Sequence, residues 1–247
     1  MTTSSGLFIA FGEVSVDLSQ PMSSLISDIK SVFSELRIYP VEFQSMRLVV
    51  DTSCYTWIPA ALYESSQQRR YLETVAKVPD MAMVSASYHA ALEAQCVYTT
   101  DATLLTAFKV ALPGIACCAQ PYALLGDALL RRSDRHPVMV AWLTNDVATH
   151  KMYVDYLVLK GGQLLLSTRR SADDVQQLLY TSLNVMKRME VETPDMEMLL
   201  CGAVERELFM QLRGYFPHLD LYNGAPLKPQ HSDLARLHAY RYATILS

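Results

Sequence analysis

The sequence carries no surplus of basic charge. Its 21 Lys and Arg stand against 25 Asp and Glu, a net charge of −4, and the isoelectric point is near 5.9. That balance gives no electrostatic pull toward nucleic acid or an anionic membrane as the main partner. The basic clusters are pairs, Arg69-Arg70, Arg131-Arg132 and Arg169-Arg170, which read as solvated helix or strand ends. A basic leader is also missing. Met1 to Ser5 is polar, and the apolar run Leu7 to Phe11 is far too short for a signal or a membrane span. The expectation is a cytoplasmic protein without membrane insertion. The five cysteines are odd in number and lack C-x-x-C spacing, which excludes a disulfide framework and a zinc site. Cys54, Cys96 and Cys201 lie in apolar runs, and the adjacent Cys117 and Cys118 would point to opposite faces of a strand. All five are expected to be small buried hydrophobes. There is no low-complexity segment and no Gly-x-Ser-x-Gly elbow, and His89, His136, His150, His218, His231 and His238 are scattered. No catalytic residue and no metal ligand is assigned.

What is present is a globular composition, 51% hydrophobic and 19% charged, and a legible second half. Val138 to Leu143 suits a buried strand. Lys151 to Leu159 is a second, with Met152, Val154, Tyr156 and Val158 on one face, and Gly161-Gly162 turns the chain into a third, Gln163 to Thr168. Ser171 with Asp174 three residues on reads as a capping box. The helix it opens, Ala172 to Met189, carries Val175, Leu178, Leu179, Leu183, Met186 and Met189 as one stripe. Met196 to Cys201 is the next strand, Gly202 closes it, Glu205 to Leu212 is a short helix capped by Gly214, and His218 to Tyr222 is a last strand. The order is β-β-β-α-β-α-β.

The first half is read as a worn copy. Leu7 to Phe11 and Val14 to Leu18 are short strands, and Ser24 to Leu36 is an amphipathic helix with Leu25, Ile29, Val32, Phe33 and Leu36 on one face. Met46 to Asp51 and Cys54 to Trp57 read as a hairpin, after which Pro59 starts a short helix. Ala82 to Ser87 and Gln95 to Thr99 are strands; Asp101 caps a helix ended by Pro113-Gly114, and Ile115 to Cys118 is a strand. A helix from Pro121 to Leu130 leads into the second half, and a C-terminal helix covers about Asp233 to Ile245. The expected division is 1–118 and 119–247.

Three antiparallel strands followed by helix, parallel strand, helix and parallel strand is the topology of the ribonuclease H-like unit. The chain also resembles an uncharacterised Bacteroidetes family, domain of unknown function 3822. The matching segments are "VVDTSCYTWIPAALY" from Val49, "CVYTTDATLLTAFKVALPGIACCAQPYALL" from Cys96, and Leu164 to Tyr215 with its "LLCGAVERELFMQLRGY". The resemblance implies an α/β, two-lobed actin-like ATPase fold built of duplicated ribonuclease H-like βββαβαβ units. It implies no activity.

Actin-like ATPases hold Mg-nucleotide with carboxylates in strand turns and with glycines whose backbone N–H groups approach phosphate. The corresponding turns here are Gly12-Glu13, Asn145-Asp146 and Gly202-Ala203-Val204-Glu205. Each departs from the pattern: the first lacks Asp-x-Gly, the second lacks glycine, and the third has one glycine where an adenosine turn has two. The nucleotide-binding candidates are therefore Gly12, Glu13, Asn145, Asp146, Gly202, Ala203 and Glu205. A two-metal nuclease is excluded because Val138 to Leu143 contains no carboxylate. The expected function is a non-catalytic scaffold or protein-interaction module, with protein partners or self-association and no cofactor. The alternatives are a divergent ATPase or small-molecule kinase using Mg-ATP between the lobes, and a ligand sensor that closes its lobes.

Overall fold

The computed structural model describes residues 7–8, 20–35, 45–52, 54–146, 151–223, 228–229 and 238–243. These form two compact units, one running to Tyr122 with Lys228–Pro229, the other from Ala123 to Asn223 with 238–243.

In the first unit, β1 (Leu7–Phe8) precedes α1 (Met22–Glu35), β2 (Arg47–Val50), β3 (Tyr55–Pro59) and α2 (Gln68–Glu73). Then come β4 (Met83–His89), β5 (Ala94–Thr100), α3 (Ala102–Ala111), β6 (Ala116–Ala119) and α4 (Gln120–Leu124), which ends in the second unit. Leu25 and Ile29 of α1 pack on Ala107, Ala111 and Leu112 at α3. Asp101 caps α3 as expected, its carboxylate accepting from the Leu104 N–H at 2.8 Å. The expected hairpin of 46–51 with 54–57 does not form. Instead β2 pairs in parallel with β6, and β3 pairs antiparallel with β5, which also pairs with β4. Tyr98 explains part of the arrangement: its hydroxyl donates to the Cys117 carbonyl of β6 at 2.8 Å, and Ser87 on β4 donates to the same oxygen at 3.0 Å. Two side chains of the antiparallel sheet thus tie it to the parallel pair.

The second unit opens with α5 (Asp127–Ser133), so the helix expected over 121–130 is broken at Leu125-Gly126. Next are β7 (Val138–Asp146), β8 (Lys151–Lys160), β9 (Gln163–Ala172), α6 (Val175–Arg188), β10 (Glu197–Gly202), α7 (Arg206–Arg213) and β11 (Leu219–Leu221). Gly161 and Gly162 have φ of +58° and +71°, the paired positive values of a type I′ hairpin turn. The expected antiparallel meander β7-β8-β9 is present, β10 lies parallel to β7 and β11 parallel to β10, and the sheet order is β11-β10-β7-β8-β9. This is the ribonuclease H-like arrangement. One expectation fails locally: Ser171 stays in β9 opposite Tyr153, and α6 starts later. Its cap is Asp174, which accepts from the Gln177 N–H at 2.7 Å, while Gln177 Oε1 accepts from the Asp173 N–H at 2.7 Å. One face of the sheet, with Met139, Ala141, Leu143, Tyr156, Met198 and Leu200, buries against α6 and α7. The Tyr156 hydroxyl meets Ser182 Oγ of α6 at 3.0 Å inside that layer. Each large side chain so buried stabilises by about 1.5–3 kcal/mol.

Beyond the sheet, β12 (Lys228–Pro229) pairs in parallel with β1 in the first unit. Val14 to Leu18 lies outside the described residues, as does most of the expected C-terminal helix, of which 239–242 form a 3₁₀ turn.

All five thiols are free. Cys54, Cys96, Cys118 and Cys201 are buried and Cys117 half-buried. Burial pushes the Cys118 thiol up to about 11, so it is protonated and unreactive at neutral pH. A thiol reagent on the native protein should therefore modify Cys117 alone at an appreciable rate, with all five reacting in guanidinium. Fast native reaction of all five would contradict this packing.

Candidate functional site

The candidate residues of the second unit lie where β7 and β10 run out side by side. The last rung of their parallel ladder pairs Leu143 with Gly202. Gly202 has φ +85°, and a Cβ there would stand 2.2 Å from the Leu143 carbonyl oxygen. Glycine is required at this position by β7 itself, whatever else the turn does. The close approach lets the Ala203 N–H donate to the Leu143 oxygen at 2.8 Å, and the next N–H, of Val204, donates to the Gly202 oxygen at 2.8 Å. Val204 is buried in the helix-side core and pins the turn from below. Glu205 occupies the N-cap position of α7 but makes no side-chain cap bond. Its carboxylate is exposed at the positive end of the helix dipole.

Asn145 and Asp146 leave the sheet at the same end, because β7 and β10 are parallel. The turn expected over 143–148 does not include Asn145 or Asp146, and residues 147–148 lie outside the described residues. Asn145 pairs with Met152 and Asp146 with Lys151, so both belong to the β7-β8 ladder. Gly12 and Glu13 lie outside the described residues. The structure thus gathers Asn145, Asp146, Gly202, Ala203 and Glu205 at one end of one sheet, with the first pair in a strand and the rest in a closed turn.

The face of this sheet away from α6 and α7 holds what the sequence did not reveal. Cys201, Trp142, Asp155 and Arg169 form one rung across β10, β7, β8 and β9. Asp155 is fully buried, and its carboxylate accepts from Arg169 Nη1 at 3.0 Å. The Arg169 guanidinium lies 5.1 Å from the centre of the Tyr153 ring. The reading of Arg169-Arg170 as a solvated pair holds for exposed Arg170 and fails for Arg169, whose partner sits across the strand. The available signal was Asp155 itself, a lone charge inside the apolar run of β8, since a buried carboxylate needs a cation. Arg132, exposed in the last turn of α5 as expected of a solvated helix end, also pairs with Glu197 through Nε and Nη2. Cys201 is not a nucleophile: burial first, and the Asp155 charge second, hold its thiol well above its ordinary value.

In the first unit, Gln120 follows β6 and is buried, with neither amide atom hydrogen-bonded among the described residues. An internal water is the usual answer to such a group. His89 packs edge-on against Tyr122 and Trp57, at 5.2 Å and 6.0 Å between ring centres. Among the described residues, no group of three His, Cys, Asp or Glu side chains is placed to hold a metal ion, and no helix is long and apolar enough to cross a membrane.

Residues 1–219 match the family described as protein of unknown function, DUF3822. The chain belongs to this family. Among solved structures, one similar protein is a Bacteroides thetaiotaomicron protein described as having an actin-like ATPase fold and unknown function. It shares 20% sequence identity, with 84% of this chain and 79% of that chain covered and a TM-score of 0.68. This DUF3822 chain therefore has the actin-like ATPase fold. No curated protein matches it.

The Gly202 geometry sets a strong constraint on substitution. Gly202→Ala should destabilise this DUF3822 protein by about 3 kcal/mol or more, from positive φ and the collision with β7 together. Denaturant unfolding measures it, and a loss below about 1 kcal/mol would refute the close approach.

Proposed function

We propose that this chain is a non-catalytic protein with an actin-like fold, a cytoplasmic scaffold or protein-interaction module that has lost nucleotide chemistry. One observation carries the reading. The turn that would serve adenosine in an actin-like ATPase directs two successive N–H groups inward, Ala203 to the Leu143 oxygen and Val204 to the Gly202 oxygen. Its single glycine answers the steric demand of β7. A nucleotide approaching the turn would have to displace the Ala203 bond that holds the end of β10 to β7 and the Val204 bond that closes the turn on itself, which costs more than displacing water. Asp146 adds support, since a carboxylate within a strand ladder lacks the glycine-opened backbone that lets metal and phosphate come close.

The alternative, a divergent ATPase or small-molecule kinase, is favoured by one fact: Asn145, Asp146 and the exposed Glu205 share a sheet end. Under that reading these residues would face Mg-nucleotide. Isothermal titration of the full chain with Mg-ATP, Mg-ADP and Mg-GTP separates the two. No heat of binding and no thermal shift at millimolar nucleotide is expected. Saturable binding that Asp146→Ala weakens would replace this proposal with the alternative.

A further inference from the structure

Strand β4 is an outer strand of the three-stranded sheet, whose order is β3-β5-β4. Which of its backbone groups face outward follows from the pairing. The Thr99 N–H bonds the Cys54 carbonyl on the β3 side of β5. By the alternation of an antiparallel sheet, Val97 and Thr99 then face β3, while Cys96 and Tyr98 face β4. Opposite Cys96 and Tyr98 stand Ser87 and Ser85. The N–H and C=O groups of Val84, Ala86 and Tyr88 therefore point away from the sheet. The Tyr88 carbonyl accepts from the Tyr122 hydroxyl at 3.1 Å, which leaves it one lone pair. Among the described residues, no backbone group bonds to this outward side of β4.

An open edge is ordinarily blunted by charge, proline, a bulge or shortness. The other outer strands of the two larger sheets are blunted in these ways. β3 ends in Pro59, β9 carries exposed Arg170, and β11 has only three residues. β4 has seven residues, Met83 to His89, with no Lys, Arg, Asp, Glu or Pro among them, and its register with β5 is unbroken. It also holds large apolar side chains in solvent, Met83 at 41% exposure and Tyr88 at 50%.

We infer that β4 pairs antiparallel with β4 of a second copy of the chain across a two-fold axis at Ala86, joining the two three-stranded sheets into one. A row of outward N–H and C=O groups is matched by another extended backbone. An axis at Ala86, the middle of the strand, sets outward residues against outward residues. Ala86 then faces itself and Val84 faces Tyr88, each pair exchanging both N–H···O bonds. The side chains match on both faces of the strand. Val84 with Tyr88 is a β-branched and aromatic cross-strand pair. On the other face Met83 lies opposite His89, whose ring packs on Tyr122 and Trp57, and gives a sulfur-aromatic contact. A charge near the axis would meet its own image, and β4 has no Lys, Arg, Asp or Glu. This self-fit selects a second copy over a strand of another protein, and one surface serves both sides, as a closed isologous dimer requires. The inference rests on the reading of the chain as an interaction module and names its first partner.

Sedimentation velocity of the full chain, up to about 100 μM protein, tests it together with residue-resolved hydrogen exchange at low and high protein concentration. The wild type is expected to dimerise, and the Val84, Ala86 and Tyr88 amides to gain protection as the dimer fills. The Ser85 and Ser87 amides, bonded to β5, should be protected at both concentrations. Ala86→Pro removes an outward N–H and no bond to β5. It should retain the melting temperature and circular dichroism and weaken the dimer ~100-fold or more. Tyr88→Lys, at an exposed side chain, should weaken it ~10-fold. A wild type monomeric throughout, or a dimer that a folded Ala86→Pro chain still forms, would overturn the inference. So would an Ala86 amide that stays open in the dimer. Equal protection of that amide at every protein concentration would place another segment of the same chain on the edge and overturn it as well. These exchange outcomes decide the matter on the wild type alone if Ala86→Pro fails to fold. Nucleotide titration of the same samples keeps this separate from the broader reading: a monomer that binds no nucleotide refutes the dimer alone, and a monomer that binds it refutes both.

Discussion

At the end of β10 the chain comes so close to β7 that no side chain fits between them. A Cβ on Gly202 would lie 2.2 Å from the Leu143 oxygen, and the space left by its absence is what allows the Ala203 N–H to reach that oxygen. The rest of the second unit is arranged around this contact. β7 is the central strand of the five, paired with β8 along its full length and with β10 along most of it. The turn after Gly202 drops Val204 into the core and sets the start of α7, whose Leu208 and Leu212 then cover the sheet. A glycine that looks like the remnant of a nucleotide motif is, in this chain, the residue that lets two parallel strands end together.

The opposite face follows from the same strand pairing. With Trp142 central in β7, the rung through it brings Cys201, Asp155 and Arg169 into line. Burial of the Asp155 carboxylate is costly unless a cation is directly opposite, and the β8-β9 register supplies Arg169 there. The register of the meander is thereby fixed by charge as well as by hydrophobic pattern. A one-residue slip would move Arg169 to the other face and leave Asp155 without this pairing.

Much of the second unit was legible because its signals are local. The alternation of Met152, Val154, Tyr156 and Val158, the two glycines after Lys160 and the apolar stripe of α6 each lie within a short window. Failures came where the deciding partner is distant in sequence. β2 was read as pairing with its neighbour β3, although its partner β6 is far along the chain, and no residue of β2 announces that. Ser171 looked like a cap because Ser-x-x-Asp is a local pattern, yet the pairing of β9 with β8 continues through Ala172 and hands the role to Asp174. The site was half legible. Gly202 could be picked out from its place between strand and helix, but the reason for it is a backbone oxygen on β7. Arg169 read as solvated because its counter-charge sits on the neighbouring strand.

The Ala203 amide reports directly on the turn after β10, which closes on itself and on β7 within the actin-like fold. Hydrogen exchange followed by amide NMR should find the Ala203 N–H strongly protected, as a bonded amide of the β10-β7 junction, and neither its resonance nor its protection should change on adding millimolar Mg-ATP. An Ala203 amide that exchanges as fast as an open loop, or that shifts and gains protection with nucleotide, would contradict it.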